Sequence, residues 1–189
     1  MSPRVGIVAL QGGYSLHAVA FGRAGAQAVA VREPQDLTGL DALAIPGGES
    51  TTIGMLMQRF GLLDAIRERS DRLAIMGTCA GAILLSEDIH HSDQPRIGTL
   101  RATVERNAYG RQVASFEADL QVASLEQPFR AVFIRAPQFV RIGAGVSTLA
   151  SFEGLPVAVQ QERTLALAFH PELTDDVRIH EYFIRQVVG

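Results

Sequence analysis

The chain has no lysine; all 17 of its basic side chains are arginine. That excludes a phosphate loop of the Walker type, which needs a lysine on the phosphates, and any mechanism through a lysine Schiff base. It has a single cysteine, so no intrachain disulfide can form. No apolar run reaches the roughly 18 residues that mark a membrane span, and no basic-apolar signal segment stands at its start. A cytoplasmic protein with no membrane partner is therefore expected. Excess positive charge is also missing. The formal charge of −3 offers no basis for binding nucleic acid or an anionic membrane. Repeats, low-complexity runs and linkers are absent. What remains is ordinary globular composition, 47% hydrophobic and 20% charged over 189 residues. The simplest reading is one domain, 1–189, with a substantial core.

The chain is organised around Met76-Gly77-Thr78-Cys79-Ala80-Gly81. Leu73-Ala74-Ile75-Met76 before it is an apolar run bounded by charge, which reads as a buried strand. Ala80 to Leu85 after it is apolar and helix-compatible. Strand, tight turn and helix around Gly-x-Cys-x-Gly match the arrangement that carries the serine of α/β-hydrolases, with cysteine in its place. A nucleophile pushed out at a sharp turn needs strained backbone, and neighbours without a Cβ keep that strain low. The turn also sets the sulfur at a helix N-terminus, where partial positive charge favours a thiolate. A lone cysteine is otherwise most often a structural core residue; the flanking glycines argue against that here.

In chain order, Val5 to Leu10 reads as a strand buried on both faces, followed by a turn at Gln11-Gly12-Gly13. Ser15 is expected to cap a helix ending near Ala24, with Gly25 as its stop. Ala28 to Val31 and Leu43 to Ile45 read as strands, the second broken by Pro46-Gly47-Gly48. Thr51 or Thr52 opens a helix that Gly61 interrupts, and a further amphipathic segment runs to about Arg69. This βαβ pattern implies a parallel sheet covered by helices on both faces. After Ser86 the pattern changes. Thr103–Glu105, Val113–Leu120 and Arg130–Ile134 read as strands, and Val146–Phe152, Pro156–Gln160 and Thr164–Phe169 follow as a meander. Thr174 is expected to cap a last helix running to about Val188. The fold class expected is α/β: a three-layer, flavodoxin-like mixed sheet with an antiparallel extension.

A nucleophilic cysteine needs a base, and the base needs an orienting group. Of five histidines, His90 and His91 fall in a charged loop and His180 in the last helix, all read as surface. His17, on the first helix, reads as a buried or capping residue and is left unassigned. His170 lies just past a strand in His170-Pro171-Glu172, and in an open α/β sheet ligands gather at the carboxyl ends of strands. Pro171 is expected to hold the backbone extended so that Glu172 turns back to the imidazole, completing a Cys79–His170–Glu172 triad. A chance histidine after a strand is the competing reading. The oxyanion formed by attack needs two donors, for which the N–H groups of Ala80 and of the Gly47-Gly48 turn are candidates. Glu49 is either a partner for a substrate ammonium or a helix-start carboxylate.

With these pieces placed, the sequence resembles the class I (triad) glutamine amidotransferases, and within them the glutaminase-subunit family of pyridoxal 5′-phosphate synthase. The resemblance spans nearly the whole chain. Its markers are Ala9-Leu10-Gln11-Gly12, Pro46-Gly47-Gly48-Glu49-Ser50-Thr51-Thr52, Gly77-Thr78-Cys79-Ala80-Gly81, Arg106-Asn107-Ala108-Tyr109-Gly110-Arg111-Gln112, Phe133-Ile134-Arg135-Ala136-Pro137 and His170-Pro171-Glu172-Leu173-Thr174. It implies Cys79 as nucleophile, His170 as base and Glu172 as orienting acid. It further implies L-glutamine contacts at Gly47, Gly48, Glu49, Arg106, Ile134 and Arg135. Implied too are hydrolysis of L-glutamine through a glutamyl thioester, no cofactor or metal, and ammonia channelled to a separate synthase subunit in a large hetero-oligomer. Leu16, Ala82 and Tyr109 depart from the usual glutamate, leucine and phenylalanine of the family. The alternatives are a glutaminase subunit of another pathway, such as imidazole glycerol phosphate or purine synthesis, and a non-catalytic redox or binding module with the same cysteine turn.

Overall fold

A computed structural model describes residues 2–106 and 115–189. The Asn107–Gln112 part of the arginine motif, and the first two positions of the strand expected at Val113–Leu120, lie outside the described residues. The central sheet has seven strands in the order β10-β11-β12-β4-β3-β1-β2. Its parallel part is β1 (Arg4–Val8), β2 (Gln27–Val31), β3 (Ala42–Ile45), β4 (Ala74–Thr78) and β12 (Thr164–Leu167). That gives the order 2-1-3-4-12, the doubly wound pattern of flavodoxin. β10 (Ser147–Phe152) and β11 (Leu155–Gln161) extend it antiparallel beside β12.

These strands form where the sequence is continuously apolar, because parallel strands are covered on both faces. Every residue of β3, β4 and β12 is buried. Helix α1 (Tyr14–Arg23) packs against β1, β2 and the last helix, α5 (Arg178–Tyr182). Helices α2 (Ser50–Arg59), α3 (Leu62–Arg67) and α4 (Ala80–Leu85) pack together, with α4 against β3, β4 and β12. Gly61, in the left-handed region at φ 74°, divides α2 from α3.

Two smaller sheets complete the structure. One holds β5 (Ser86–Ile89), β6 (Leu100–Glu105) and β9 (Gln138–Ile142), and the other is the hairpin β7 (Ser115–Leu120) with β8 (Phe129–Ile134). Stacked Phe116 and Phe133, 4.5 Å between centroids, reach Phe152 on β10, and Phe133 also meets Phe169. This aromatic cluster fixes the hairpin at the carboxyl end of the sheet, beside β12.

The structure corrects several local expectations. Ser15 does not cap α1: Gly13 holds the cap position and no side chain bonds there. Glu49, not a threonine, caps α2 through Thr51 and Thr52 N–H groups. Thr174 bonds the carbonyls of Pro171 and Asp176 instead of capping a helix. The last helix starts four residues later, after Asp176 accepts from Arg178 N–H, and widens to a π-helix over Phe183–Val188. β5 and β9 are strands where the sequence reading has none.

The glycines around the cysteine serve close packing more than strain. A Cβ on Gly81 meets the Ile45 carbonyl oxygen at 2.0 Å, and one on Gly77 meets Gly81 at 2.6 Å. Helix α4 thus lies directly on β3 and β4 backbone, and no side chain can move aside to relieve a methyl group. Gly81→Ala is expected to destabilise the fold by about 3 kcal/mol, as overpacking against an unyielding neighbour does. Chemical denaturation of the variant checks this, and a loss below about 0.5 kcal/mol would show that α4 can lift from the sheet.

Candidate active site

Cys79 follows β4 directly and caps α4, with φ 48° and ψ −103°. A non-glycine residue at positive φ stores strain of the order of 1–3 kcal/mol. The strain falls on the cysteine itself, held by its own N–H on Leu167 O at 2.8 Å and by the glycine packing on either side. The resulting turn brings the sulfur to a cavity of about 580 Å³ that Gln11, Glu49, Arg106, Ile134, Arg135 and His170 also line. Cys79 Sγ lies 3.7 Å from the carbonyl oxygen of Ile134. β8 reaches this position because His170 N–H donates to Val132 O at 2.9 Å.

His170 stands past the end of β12, at φ −111° and ψ 87°, outside the helical region. The residue before a proline is steered there. Pro171 does not continue the extended chain, as expected, but begins a 3₁₀ turn over Pro171–Leu173. That turn carries Glu172 back beneath the ring, where Oε1 lies 2.8 Å from His170 Nδ1. Glu172 is buried behind His170, its side chain 1% exposed, and does not line the cavity. Burial alone would lower the His170 pKa; the Cys79 sulfur and the Glu172 carboxylate outweigh it and raise it to about 10. His170 Nε2 is buried without a hydrogen-bond partner among the described residues. Burial works to raise the Glu172 pKa, but His17 and His170 outweigh it and hold the carboxylate below its ordinary range.

The Pro46-Gly47-Gly48 turn closes the other side. A Cβ on Gly47 meets the held His170 ring at 2.3 Å, and one on Gly48 meets Gln11 Oε1 at 2.5 Å, so a side chain at Gly47 collides with the imidazole and one at Gly48 displaces the Gln11 amide. Gly47 O accepts from Gly13 N–H at 3.0 Å. Ala80, the first residue of α4, is buried beside the cysteine. Glu49 takes the helix-start half of its open reading. Its oxygens accept from Thr51 N–H and Thr52 N–H, and Oε1 also faces Arg106 Nη2 at 3.2 Å. Arg106 donates from Nη1 to Gln94 Oε1 at 2.7 Å and to Thr51 Oγ1 at 3.1 Å. A guanidinium has five N–H donors, so these contacts leave capacity for a ligand carboxylate. Arg135 sits at the cavity with φ 44°. All the candidate residues other than Ala80, Gly47 and Glu172 line one cavity, and those three pack directly behind it.

Four residues were not singled out from the sequence. Gln11 Oε1 accepts from Glu49 N–H at 3.0 Å and lines the cavity. Gln94 is buried against Ser50, Thr51 and Arg106. His17 and His180 are fully buried behind the triad, which corrects the surface reading of His180. Gln11 was inside a quoted motif; Gln94, in the loop between Asp93 and Pro95, carried no signal. Among the described residues no group of three or more His, Cys, Asp or Glu is placed to hold a metal ion. Nor is any helix long and apolar enough to cross a membrane.

Burial lowers the pKa of His180 from its ordinary 6.5 to about 3, and lowers that of His17 in the same direction. Between about 6.5 and 3 the unfolded chain therefore binds protons that the folded chain does not. Stability is expected to fall with pH through that window, by about 1.4 kcal/mol per pH unit for each such proton. Urea denaturation between pH 7 and 4.5 should show a shallower decline for His180→Phe than for the wild type. Parallel curves would place the acid sensitivity in other groups.

A family model described as the SNO glutamine amidotransferase family matches residues 7–189. The chain is 55% identical over 183 residues to "Pyridoxal 5′-phosphate synthase subunit PdxT" of Thermus thermophilus, covering 95% of each chain. It is 51% identical over 187 residues to the protein of the same name from Pelotomaculum thermopropionicum, covering 98% of this chain and 95% of the other. A solved structure described as a glutamine amidotransferase superposes with a TM-score of 0.94 at 52% identity, covering 98% of both chains. The PurLQS structure from Thermotoga maritima shares the fold alone, with a TM-score of 0.73 at 18% identity over 100% of this chain and 98% of that one. The matched length, the curated relatives and the shared architecture together establish that this chain belongs to the SNO glutamine amidotransferase family.

Proposed function

We propose that the chain is the glutaminase subunit of a pyridoxal 5′-phosphate synthase and hydrolyses L-glutamine through Cys79, His170 and Glu172. The observation that carries this reading is a cysteine forced to positive φ at the end of β4, facing a histidine whose far nitrogen is held by a buried carboxylate. In the proposed reaction Cys79 Sγ, as thiolate, attacks the side-chain amide carbon of glutamine. The N–H groups of Ala80 and Gly48 stabilise the oxyanion. His170, protonated at neutral pH by its raised pKa, gives its Nε2 proton to the leaving nitrogen, and the C–N bond breaks to release ammonia. Water, deprotonated by the same nitrogen, then hydrolyses the glutamyl thioester to glutamate and restores the cysteine. Sγ rests near Ile134 O, so a small side-chain rotation brings it to His170 Nε2; catalytic hydrogen bonds commonly tighten only when substrate is bound. Arg106 and Arg135 hold the α-carboxylate and Glu49 the α-ammonium, with Gly47, Gly48 and Ile134 shaping the pocket. No step of this scheme uses a metal or cofactor.

The relatives named as subunits of pyridoxal 5′-phosphate synthase support a partnership with a synthase subunit; that the partner receives the ammonia by a channel, in the cytoplasm, is part of the proposal. The Gly47–Gly48 peptide gives that partner a point of control. One hydrogen bond to Gly13 N–H holds its carbonyl, and neither residue has a Cβ to resist a turn of the plane. Docking that fixes the Gly48 N–H toward the oxyanion restores about 2.7–4 kcal/mol of barrier lowering.

Glutamate release, assayed with and without the synthase subunit, tests these assignments. Cys79→Ser should lose at least about 10³ in rate while remaining folded; a tenth of wild-type activity would remove Cys79 as nucleophile. His170→Asn should lose more than Glu172→Gln, since the ring moves protons and the carboxylate orients it. Arg106→Ala or Arg135→Ala should raise KM by about 10- to 150-fold, the loss of a charge-assisted contact of about 1.5–3 kcal/mol. An unchanged KM with a lowered Tm would give that arginine a structural role. Equal rates with and without the synthase would refute the gating.

A further inference from the structure

Behind the triad lies a buried polar chain that the proposed reaction does not use. His17 on α1 and His180 on α5 are both 0% exposed. His17 Nδ1 faces His180 Nε2 at 3.2 Å. His17 Nε2 lies 3.0 Å from Thr78 Oγ1, on the residue before the cysteine, and 3.3 Å from Glu172 Oε2. Oε2 is itself buried and makes no well-aligned hydrogen bond among the described residues. Two histidines inside a hydrophobic core are costly unless their polar atoms are matched. His17, with His180 behind it, stands against the one carboxylate oxygen of the triad that His170 leaves free.

The proton positions follow from these contacts. Two ring nitrogens 3.2 Å apart share one proton. If it sat on His17 Nδ1, the bare Nε2 lone pair would face a carboxylate oxygen, and Glu172 would keep an uncompensated lobe of charge in a dry site. With the proton on His180 Nε2, His17 accepts at Nδ1 and carries its own N–H on Nε2. That N–H is forked between Oε2 of Glu172 and Oγ1 of Thr78. His180 Nδ1 is then a bare acceptor, which agrees with its having no partner among the described residues. Both rings remain neutral under burial, so they serve as oriented dipoles and not as counter-ions.

We propose that His17 is a positioning residue of the glutaminase centre: its Nε2–H, fixed by His180, holds Oε2 of Glu172 so that the carboxylate stays ionised with Oε1 aimed at His170 Nδ1. The chain His180–His17–Glu172–His170 then runs from α5 through α1 to the nucleophile. Without the forked N–H, the carboxylate can rotate about its terminal bond or take up a proton. Either change weakens the contact that fixes the His170 tautomer, and a wrongly placed ring proton is a severe catalytic defect. The assignment rests on the triad reading above, and Glu172→Gln is the control that separates the two.

The experiment measures glutamate release at saturating and limiting glutamine, with the synthase subunit present, for His17→Leu, His17→Gln, Glu172→Gln and the His17→Leu/Glu172→Gln pair. His17→Leu should lower kcat by about 10- to 100-fold, the range for loss of a hydrogen-bonded group that orients a functional ligand, with KM within about threefold of wild type. His17→Gln, whose amide offers one donor toward Glu172 and one acceptor toward His180, should recover most of that loss. In the Glu172→Gln background His17→Leu should add little, because its effect passes through the carboxylate. His180→Phe, which removes the donor to His17 Nδ1, should lower kcat in the same direction and stands in should His17→Leu not fold. Wild-type kcat in a folded His17→Leu or His180→Phe chain overturns the proposal, as does a loss that is fully additive with Glu172→Gln or that glutamine does not repair. An active Glu172→Gln chain would instead overturn the triad reading beneath it.

Discussion

Everything at the catalytic end of the sheet depends on how closely α4 approaches the backbone of β3 and β4. Gly81 leaves no room for a methyl group against the Ile45 carbonyl, and Gly77 none against Gly81. The helix must therefore begin at once after β4, and the one residue between them takes the strain. That residue is Cys79, at φ 48°. The position of the sulfur is thus a product of backbone packing beneath the site and not of any contact with a substrate. A rigid placement of this kind removes orientational entropy from the reaction before a ligand arrives.

A second constraint is electrostatic. The Glu172 carboxylate is buried with a histidine ring on each oxygen, at 2.8 and 3.3 Å. The two rings differ in state because their surroundings differ. His170 is raised toward about 10 by the sulfur and carboxylate acting against burial, whereas burial dominates at His17. In the proposed scheme one ring gives up a proton and the other holds still. Groups of the same type with opposed shifts on one carboxylate mark a division of labour between chemistry and support.

Much of this was legible in the sequence. The parallel strands were visible as unbroken apolar runs, and the turn glycines marked their carboxyl ends, so Cys79, His170 and the Gly47-Gly48 turn fell at one edge of one sheet. Glu172 was found from its spacing to His170, although the turn that delivers it is 3₁₀ and not extended. What stayed hidden depends on which side of a helix meets which neighbour. His180 lies between Ile179 and Glu181, on the side of α5 turned toward α1, and a single polar letter between one apolar and one charged neighbour gives no sign of that. β5 reads Ser-Glu-Asp-Ile, and only pairing with β6 makes it a strand. The Glu49 cap was confounded by two threonines able to fill the same role. Gln94 gained its position from tertiary contacts with Arg106 that no local pattern encodes.

The arginines at the cavity have a chemical consequence of their own. The glutamyl thioester proposed on Cys79 is an activated acyl group, and any amine that reached it would be acylated in place of water. A lysine at Arg106 or Arg135 would bring such an amine on a flexible stem to the mouth of a cavity of about 580 Å³. Guanidinium offers the same positive charge with a firmer geometry and almost no nucleophilicity. In a chain without a single lysine side chain, the thioester has no ε-amine of its own to modify. Self-acylation by that route is closed, and turnover does not consume the catalyst.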